Sequence, residues 1–302
     1  MKKLKYILLG SVAVVLGLNS CNDDYMQKNP ETSITAENFF NTTSDLNTYA
    51  NSFYDQLQYR REDLFTDNAV NSSNEIDLLI RGQLTADNVS GWSKGTWGNL
   101  RSINFFLANV GKVTGDQATI KNYIGIAKYF RACFYFDMIK RYGSAPWYSA
   151  PLKTTDTELM LKTQDPRTLI VDSIMQDMDY AVKYVTAGTS RTRITQYSAL
   201  AMLARISLFE GTFRKYHPEI NLQSTANAYL QKAVEASQAL IASNQFAITG
   251  SGAKGYALLC AGELRNNKEA ILFVDFDRSL GKLNANSAEI LDHSWGLTKS
   301  LA

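Results

Sequence analysis

A chain of 302 residues, 45% hydrophobic and 11% aromatic, can bury a sizeable core as one large domain or two ordinary ones. Its 31 Lys and Arg stand against 29 Asp and Glu, but the first twenty residues hold three lysines (Lys2, Lys3, Lys5) and no acid, leaving 28 basic and 29 acidic side chains beyond them. A chain so near neutrality, with its cations scattered rather than striped, has no basic field to hold nucleic acid, and none is expected as a partner.

The three lysines precede an apolar run from Tyr6 to Leu18, too short to span a membrane but suited to the core of a signal peptide. The run ends in Leu18-Asn19-Ser20-Cys21, which resembles the lipobox of bacterial lipoproteins. That resemblance implies cleavage before Cys21 and acylation of its sulfur and its new amino group; the alternatives are an ordinary secretory signal and a membrane anchor. Several acyl chains would hold the protein firmly, at about 0.8 kcal/mol per buried methylene. Asn22-Asp23-Asp24 looks like the acidic export signal that sends lipoproteins to the cell surface in Bacteroidetes-type bacteria. The expected division is a signal peptide over 1–20, a tether over 21–34 and one domain over 35–302. Of the remaining cysteines, Cys133 falls in an apolar helix, where a buried inert thiol is the ordinary expectation, and a disulfide to Cys260 has no support in the sequence. The two histidines, His217 and His293, have no spacing with Cys that would make a zinc site, and no metal or cofactor is expected.

Along the domain, Thr43 and Ser44 offer caps for a helix with Leu46, Tyr49, Ala50, Phe53, Tyr54 and Leu57 at helical spacing. From Arg60 to Gly91 the pattern breaks into long connections around a short apolar piece at Ile76 to Ile80. A helix then places Trp97, Leu100, Asn104, Leu107 and Val110 on one side and ends near Gly111. The next, from about Gln117 to Arg141, is apolar on nearly every side, with Arg131 and Asp137 its only charges between Tyr129 and Ile139, as in a helix enclosed by others. Gly143 supplies its left-handed cap and Pro146 prevents it from resuming. These two helices are expected to pack as a hairpin. Asp165-Pro166 reads as a cap followed by proline at the first helical position, opening a helix with Ile170, Ile174, Met178, Ala181 and Val185 as its stripe. Thr195 caps the next, whose Ala199, Ala201, Ala204, Ser207 and Gly211 allow close contact. Ser224 opens a last one carrying Tyr229, Ala233, Ala236, Leu240 and Ile241. Ala270 to Val274 is the one strand-like run.

Helix pairs in series with small residues at the crossings predict a mainly α fold, a tetratricopeptide-like scaffold with long loops and little β-structure. Four features then occur in order: the lipobox, Trp97-x-x-Leu-x-x-Ile-Asn104, Phe130-Arg131-Ala132 through Tyr135-Phe136 to Arg141-Tyr142-Gly143 and Pro146, and Ala199 through Ala204-Arg205-Ile206 to Leu208-Phe209. Together they resemble the SusD/RagB family of outer-membrane nutrient-binding lipoproteins, over most of residues 15 to 276. The resemblance implies a surface lipoprotein that captures oligosaccharides or peptides without chemistry and passes them to a TonB-dependent transporter. It also implies a longer chain, with the family's C-terminal part lacking here, and a glutamate where Ile126 stands, so that Arg131 must find another carboxylate or backbone carbonyls.

Sugar recognition needs flat aromatic faces and a few converging polar groups. Trp92, in the loop between Gly91 and Ser93, is the expected ligand contact, with Asp77, Arg81 and Asn88 near it in sequence; the competing reading is that Trp92 packs on its own domain. Trp97 reads as core and Trp147 as a structural corner. Arg131 and Asp137 read as satisfied structural charges rather than catalytic groups. A glycosidase would need two carboxylates about 5 to 9.5 Å apart, and no motif pairs any two. No nucleophile elbow or phosphate loop occurs, so no catalysis is expected. The stronger rival is a tetratricopeptide-like scaffold that binds other proteins on the periplasmic side.

Overall fold

The computed structural model describes residues 39–57, 78–85, 87–250, 252, 255 and 264–276. The signal peptide, Cys21, the tether, Asp77, Cys260 and the closing residues lie outside the described residues. Residues 42 onward form one unit, built from helices α1 (Thr43–Asn51), α2 (Lys94–Asn109), α3 (Gln117–Tyr142), α4 (Thr157–Met160), α5 (Arg167–Tyr184), α6 (Gln196–Tyr216) and α7 (Ala226–Ala242). Among the described residues there is no strand, only an isolated antiparallel bridge between Ala145 and Asp165. None of the described helices is long and apolar enough to cross a membrane.

The helices stack in series: α1 and α2 lie on α3, α3 on α5, α5 on α6, and α6 on α7. The reason is visible in α3. From Gly125 to Ile139 every residue is buried except the half-buried Lys128, Cys133 and Asp137, so this helix needs neighbours on all sides. Cys133 is thus less enclosed than expected. On one side Phe53, just past α1, meets Phe106 edge-on at 5.6 Å and Phe130 at 5.8 Å. On the other, Gly125 lies against α5, where an added Cβ would stand 2.7 Å from the Val185 Cγ2.

The helix ends follow their local chemistry with three exceptions. Asp116 caps α3 by accepting from the Thr119 amide at 2.8 Å, and hydrogen bonds from the Thr119 hydroxyl and amide hold its carboxyl below the usual range. Gly143 closes α3 at φ 74°. Thr195 caps α6 as expected, and Ser198 completes a capping box with it. At α1, however, the cap is Thr42, one residue before the expected pair, because Asp45 answers it three residues on. The cap position of α5 is Pro166; Asp165 instead accepts from the Trp147 amide at 2.7 Å and pairs with Lys162 at 2.6 Å. The α7 cap position is Thr225 rather than Ser224, after a 3₁₀ turn over Gln223–Thr225.

Two other expectations are corrected. Residues 270–274 form no strand: the Phe273 amide donates to the Arg191 carbonyl at 2.9 Å, but among the described residues no partner strand runs alongside to propagate the ladder. Ile241 is 76% exposed, since the contact face of α7 runs through Ala226, Ala233 and Ala236.

Small residues at the crossings set an expected result. A Cβ on Gly211 would lie 2.7 Å from the Leu230 Cδ2 and 3.0 Å from its backbone nitrogen. Gly211→Ala gains about 1 kcal/mol of helix propensity but forces α6 and α7 apart, an overpacking cost of about 1–3 kcal/mol. Gly98, inside α2, has nothing within 4 Å of its added Cβ. Thermal melts are expected to show Gly98→Ala unchanged or more stable and Gly211→Ala less stable; a stabilised Gly211→Ala would refute the close crossing.

Candidate functional site

The end of α3 and the corner that follows it build the site. Arg131, the charge in the apolar helix, finds its carboxylate on α5: Nε donates to Asp177 Oδ2 at 2.6 Å and Nη2 to Oδ1 at 2.9 Å, a forked pair of the kind Arg favours. Lys128 adds a third contact to Asp177 at 2.5 Å. The remaining Nη1 donates to Asn104 Oδ1 on α2 at 3.2 Å and to the Ser149 carbonyl at 3.4 Å. Asn104 in turn donates to the Tyr148 carbonyl at 2.8 Å. One buried guanidinium therefore joins α2, α3, α5 and the corner at 144–150. Asp137, exposed enough to pair with Lys140 at 3.1 Å, takes no part in that group.

The corner is fixed from below by Tyr135, whose hydroxyl donates to the Pro146 carbonyl at 3.2 Å and accepts from the Tyr148 amide at 2.7 Å. Burial pushes its phenol well above the usual range, so it stays protonated as a donor. Trp147 lies on Tyr135 at 4.2 Å between centroids, with the Arg131 guanidinium 5.2 Å from its ring centroid. It is the structural corner expected of it.

These anchors hold Tyr148 against Trp97, 5.9 Å between centroids. Trp97 is half-buried rather than core: it packs edge-on against Phe134 at 5.3 Å and against Trp92 at 5.0 Å. Its indole N–H is buried with no hydrogen-bond partner among the described residues. Trp92 completes the group edge-on to Tyr142 at 5.0 Å, and 45% of it remains exposed. Trp92, Trp97, Tyr142 and Tyr148 thus make an aromatic cluster at the open end of α3. Edge-to-face contacts of this kind add about 0.5–1.5 kcal/mol each beyond burial and fix ring orientation.

Of the polar residues expected beside Trp92, Asn88 turns inward on its own loop: its Oδ1 accepts from the Thr85 amide at 2.6 Å and its Nδ2 donates to the Gln83 carbonyl at 3.0 Å. That is a loop-forming role, the usual one for Asn in a turn. Arg81 is exposed in the turn that ends at Gly82. Tyr142, Tyr148 and Arg141 were not among the expected site residues; the signal that marks them is their place at the two ends of the Gly143–Pro146 break. Among the described residues no group of three or more His, Cys, Asp or Glu side chains is placed to hold a metal ion.

Apart from the aromatic cluster, a concavity of about 340 Å³ lies between the C-terminal ends of α3 and α6 and the start of α5, lined by Gly143, Pro166, Arg167, Thr168, Phe213, Ile220 and Leu222. Its one charged side chain is already engaged. Arg167 donates to Glu210 at 2.7 Å and to the Gly143 carbonyl at 3.1 Å, with its guanidinium 4.0 Å from the Phe213 centroid.

No family model matches the chain. It is 28% identical to SusD-like protein P38 of Formosa agariphila over 263 residues, 82% of this chain and 48% of that protein, and 23% identical to SusD-like protein P2 of the same organism over 71% of this chain and 45% of that protein. Solved structures with a similar fold include a SusD-like protein from Bacteroides fragilis, with a TM-score of 0.63 at 17% identity, covering 82% of this chain and 47% of the other. A laminarin-binding SusD-like protein gives 0.58 at 18% identity, covering 77% and 51%. The chain spans about half the length of the curated relatives it matches. By sequence and by the fold of its described helices, the chain is similar to SusD-like proteins.

Proposed function

We propose that the protein binds glycans without catalysis in the uptake of nutrients at the outer membrane, and that Trp92 is its contact for a sugar ring. The observation that carries this reading is the aromatic cluster: a half-exposed indole held in fixed orientation by two other rings, at one end of a rigid scaffold shared with carbohydrate-binding relatives. An exposed aromatic face offers apolar area to the C–H face of a sugar at little entropic cost because its rotamer is already set. Arg81 and Asp77, near it in sequence, are retained as candidate polar contacts, whereas the inward-turned amide of Asn88 shapes the loop. The lipidated Cys21 would anchor the chain to the membrane facing the cell exterior, and a TonB-dependent transporter would receive the ligand.

The test is retention in native gels cast with soluble polysaccharides, beginning with laminarin. The wild-type protein is expected to be retarded in at least one gel and Trp92→Ala to bind about tenfold more weakly or worse, as for a central aromatic anchor. Retention of Trp92→Ala equal to wild type would rule out this contact. Protease cleavage of the protein on intact cells, and recovery of a transporter in a detergent pull-down, separate a surface receptor from a periplasmic protein-binding scaffold.

A further inference from the structure

The loop that carries Trp92 is gripped from one side by the last turn of α3. Arg141 Nη1 donates to the Ser90 carbonyl and, at 2.9 Å, contacts the Ser90 hydroxyl. The Tyr142 hydroxyl donates to the same carbonyl at 2.9 Å. A carbonyl oxygen has two lone pairs, and these two donors, one of them charged, converge on it. The next residue, Gly91, has φ +106°, a backbone conformation that side chains with a Cβ rarely adopt, and an added Cβ there would stand 3.3 Å from the Arg141 Nη1. The chain thus turns sharply over the grip and delivers Trp92 onto the edge of Tyr142, the same residue whose hydroxyl holds Ser90.

We propose that Arg141 is the positioning residue of the Trp92 platform: its guanidinium, with the Tyr142 hydroxyl, fixes the Ser90 carbonyl and so sets the orientation of the exposed indole. The role is one of preorganisation. Without the grip, the Trp92 ring would lose its set orientation and a ligand would have to order the loop as it binds, which weakens binding without removing any contact. Lysine reproduces it only in part, because its ammonium is a point charge on a flexible stem rather than a rigid, planar guanidinium. For ligand affinity the proposal rests on Trp92 being the glycan contact; for ring orientation it stands without that reading.

Two readouts on the full chain test it. Trp92 and Trp97, 5.0 Å apart at 65°, couple excitonically, and their circular-dichroism couplet is the part of the spectrum that Trp92→Ala abolishes. Arg141→Ala and, independently, Gly91→Ala are expected to lose at least about half of that couplet, with Arg141→Lys intermediate and the helical signal and melting temperature near those of wild type, since Arg141 is exposed. A full couplet in Arg141→Ala, or one equally reduced by a control substitution at the exposed Lys94, overturns the proposal. In the laminarin and other polysaccharide gels, Arg141→Ala is expected to bind about fivefold more weakly than wild type; equal retention also overturns it. Loss of the couplet while wild type is retained by no gel supports the grip and counts against the glycan reading alone.

Discussion

Asp177→Ala is expected to cost about 3–5 kcal/mol, because it leaves a buried guanidinium without its carboxylate. At roughly 2–4 °C per kcal/mol for a domain of this size, the melting temperature should fall by about 6–20 °C. Asp177 is 2% exposed and accepts both Nε and Nη2 of Arg131. Once it is gone, Arg131 keeps only its longer hydrogen bonds, to Asn104 and the Ser149 carbonyl, and the Trp147 ring. Lys128 can turn its partly exposed ammonium to water, so Arg131 carries the cost. Pairing Asp177→Ala with Arg131→Met should recover much of the loss, since the uncompensated charge is then removed. A drop of less than about 1 kcal/mol in thermal or urea unfolding of Asp177→Ala would show that water already reaches Arg131.

Glu210→Ala should cost a similar amount, because the buried Arg214 and the partly buried Arg167 lose their shared anion. Glu210 is fully buried and accepts from Arg167 Nε and Nη2 on α5 and from Arg214 Nε one turn along α6. Both guanidiniums are backed by rings, Arg167 by Phe213 at 4.0 Å and Arg214 by Tyr229 at 4.3 Å. Burial, only partly offset by Arg214, raises the Tyr229 phenol to about 12, so a negative tyrosinate cannot stand in for the missing carboxylate near neutral pH. Arg167 also donates to the Ile139 and Gly143 carbonyls, so losing Glu210 loosens the C-terminal end of α3 as well as the α5–α6 contact. Glu210→Gln, which keeps one acceptor oxygen, should fall between wild type and alanine. Replacing all three charged residues with apolar side chains of similar volume should restore stability or exceed it. A triple variant less stable than Glu210→Ala would mean that the ion group supplies net stability of its own.

The scaffold was legible in the sequence where its signals are local. The ends of α3 follow from its apolar run and the Gly143 cap, and Thr195 from its place before a helical stripe. What was not legible is what the chain decides at long range. Asp177 lies 46 residues from Arg131, inside a stretch that also holds Asp172 and Asp179 on the exposed side of the same helix, and spacing does not tell the buried acid from its neighbours. Asp165 has every local mark of a helix cap, yet the corner at Trp147 takes its carboxylate. The strand-like residues 270–274 carry the propensity of a strand, but propensity cannot supply the neighbouring ladder. At the site, Trp92 was marked by its loop. Its partners Tyr142 and Tyr148 were not, because an aromatic at the end of an apolar helix looks the same whether it faces the core or an open cluster.

The proposed ligand contact is the aromatic cluster rather than the cleft beside Phe213, and amide hydrogen exchange with and without a retained polysaccharide tests that placement most directly. Binding should slow exchange in Ser90–Trp97 and Tyr142–Tyr148 and leave the segments around Arg167 and Ile220 unchanged. Protection confined to Arg167, Thr168 and the Ile220–Leu222 turn, with the Trp92 loop unaffected, would contradict it.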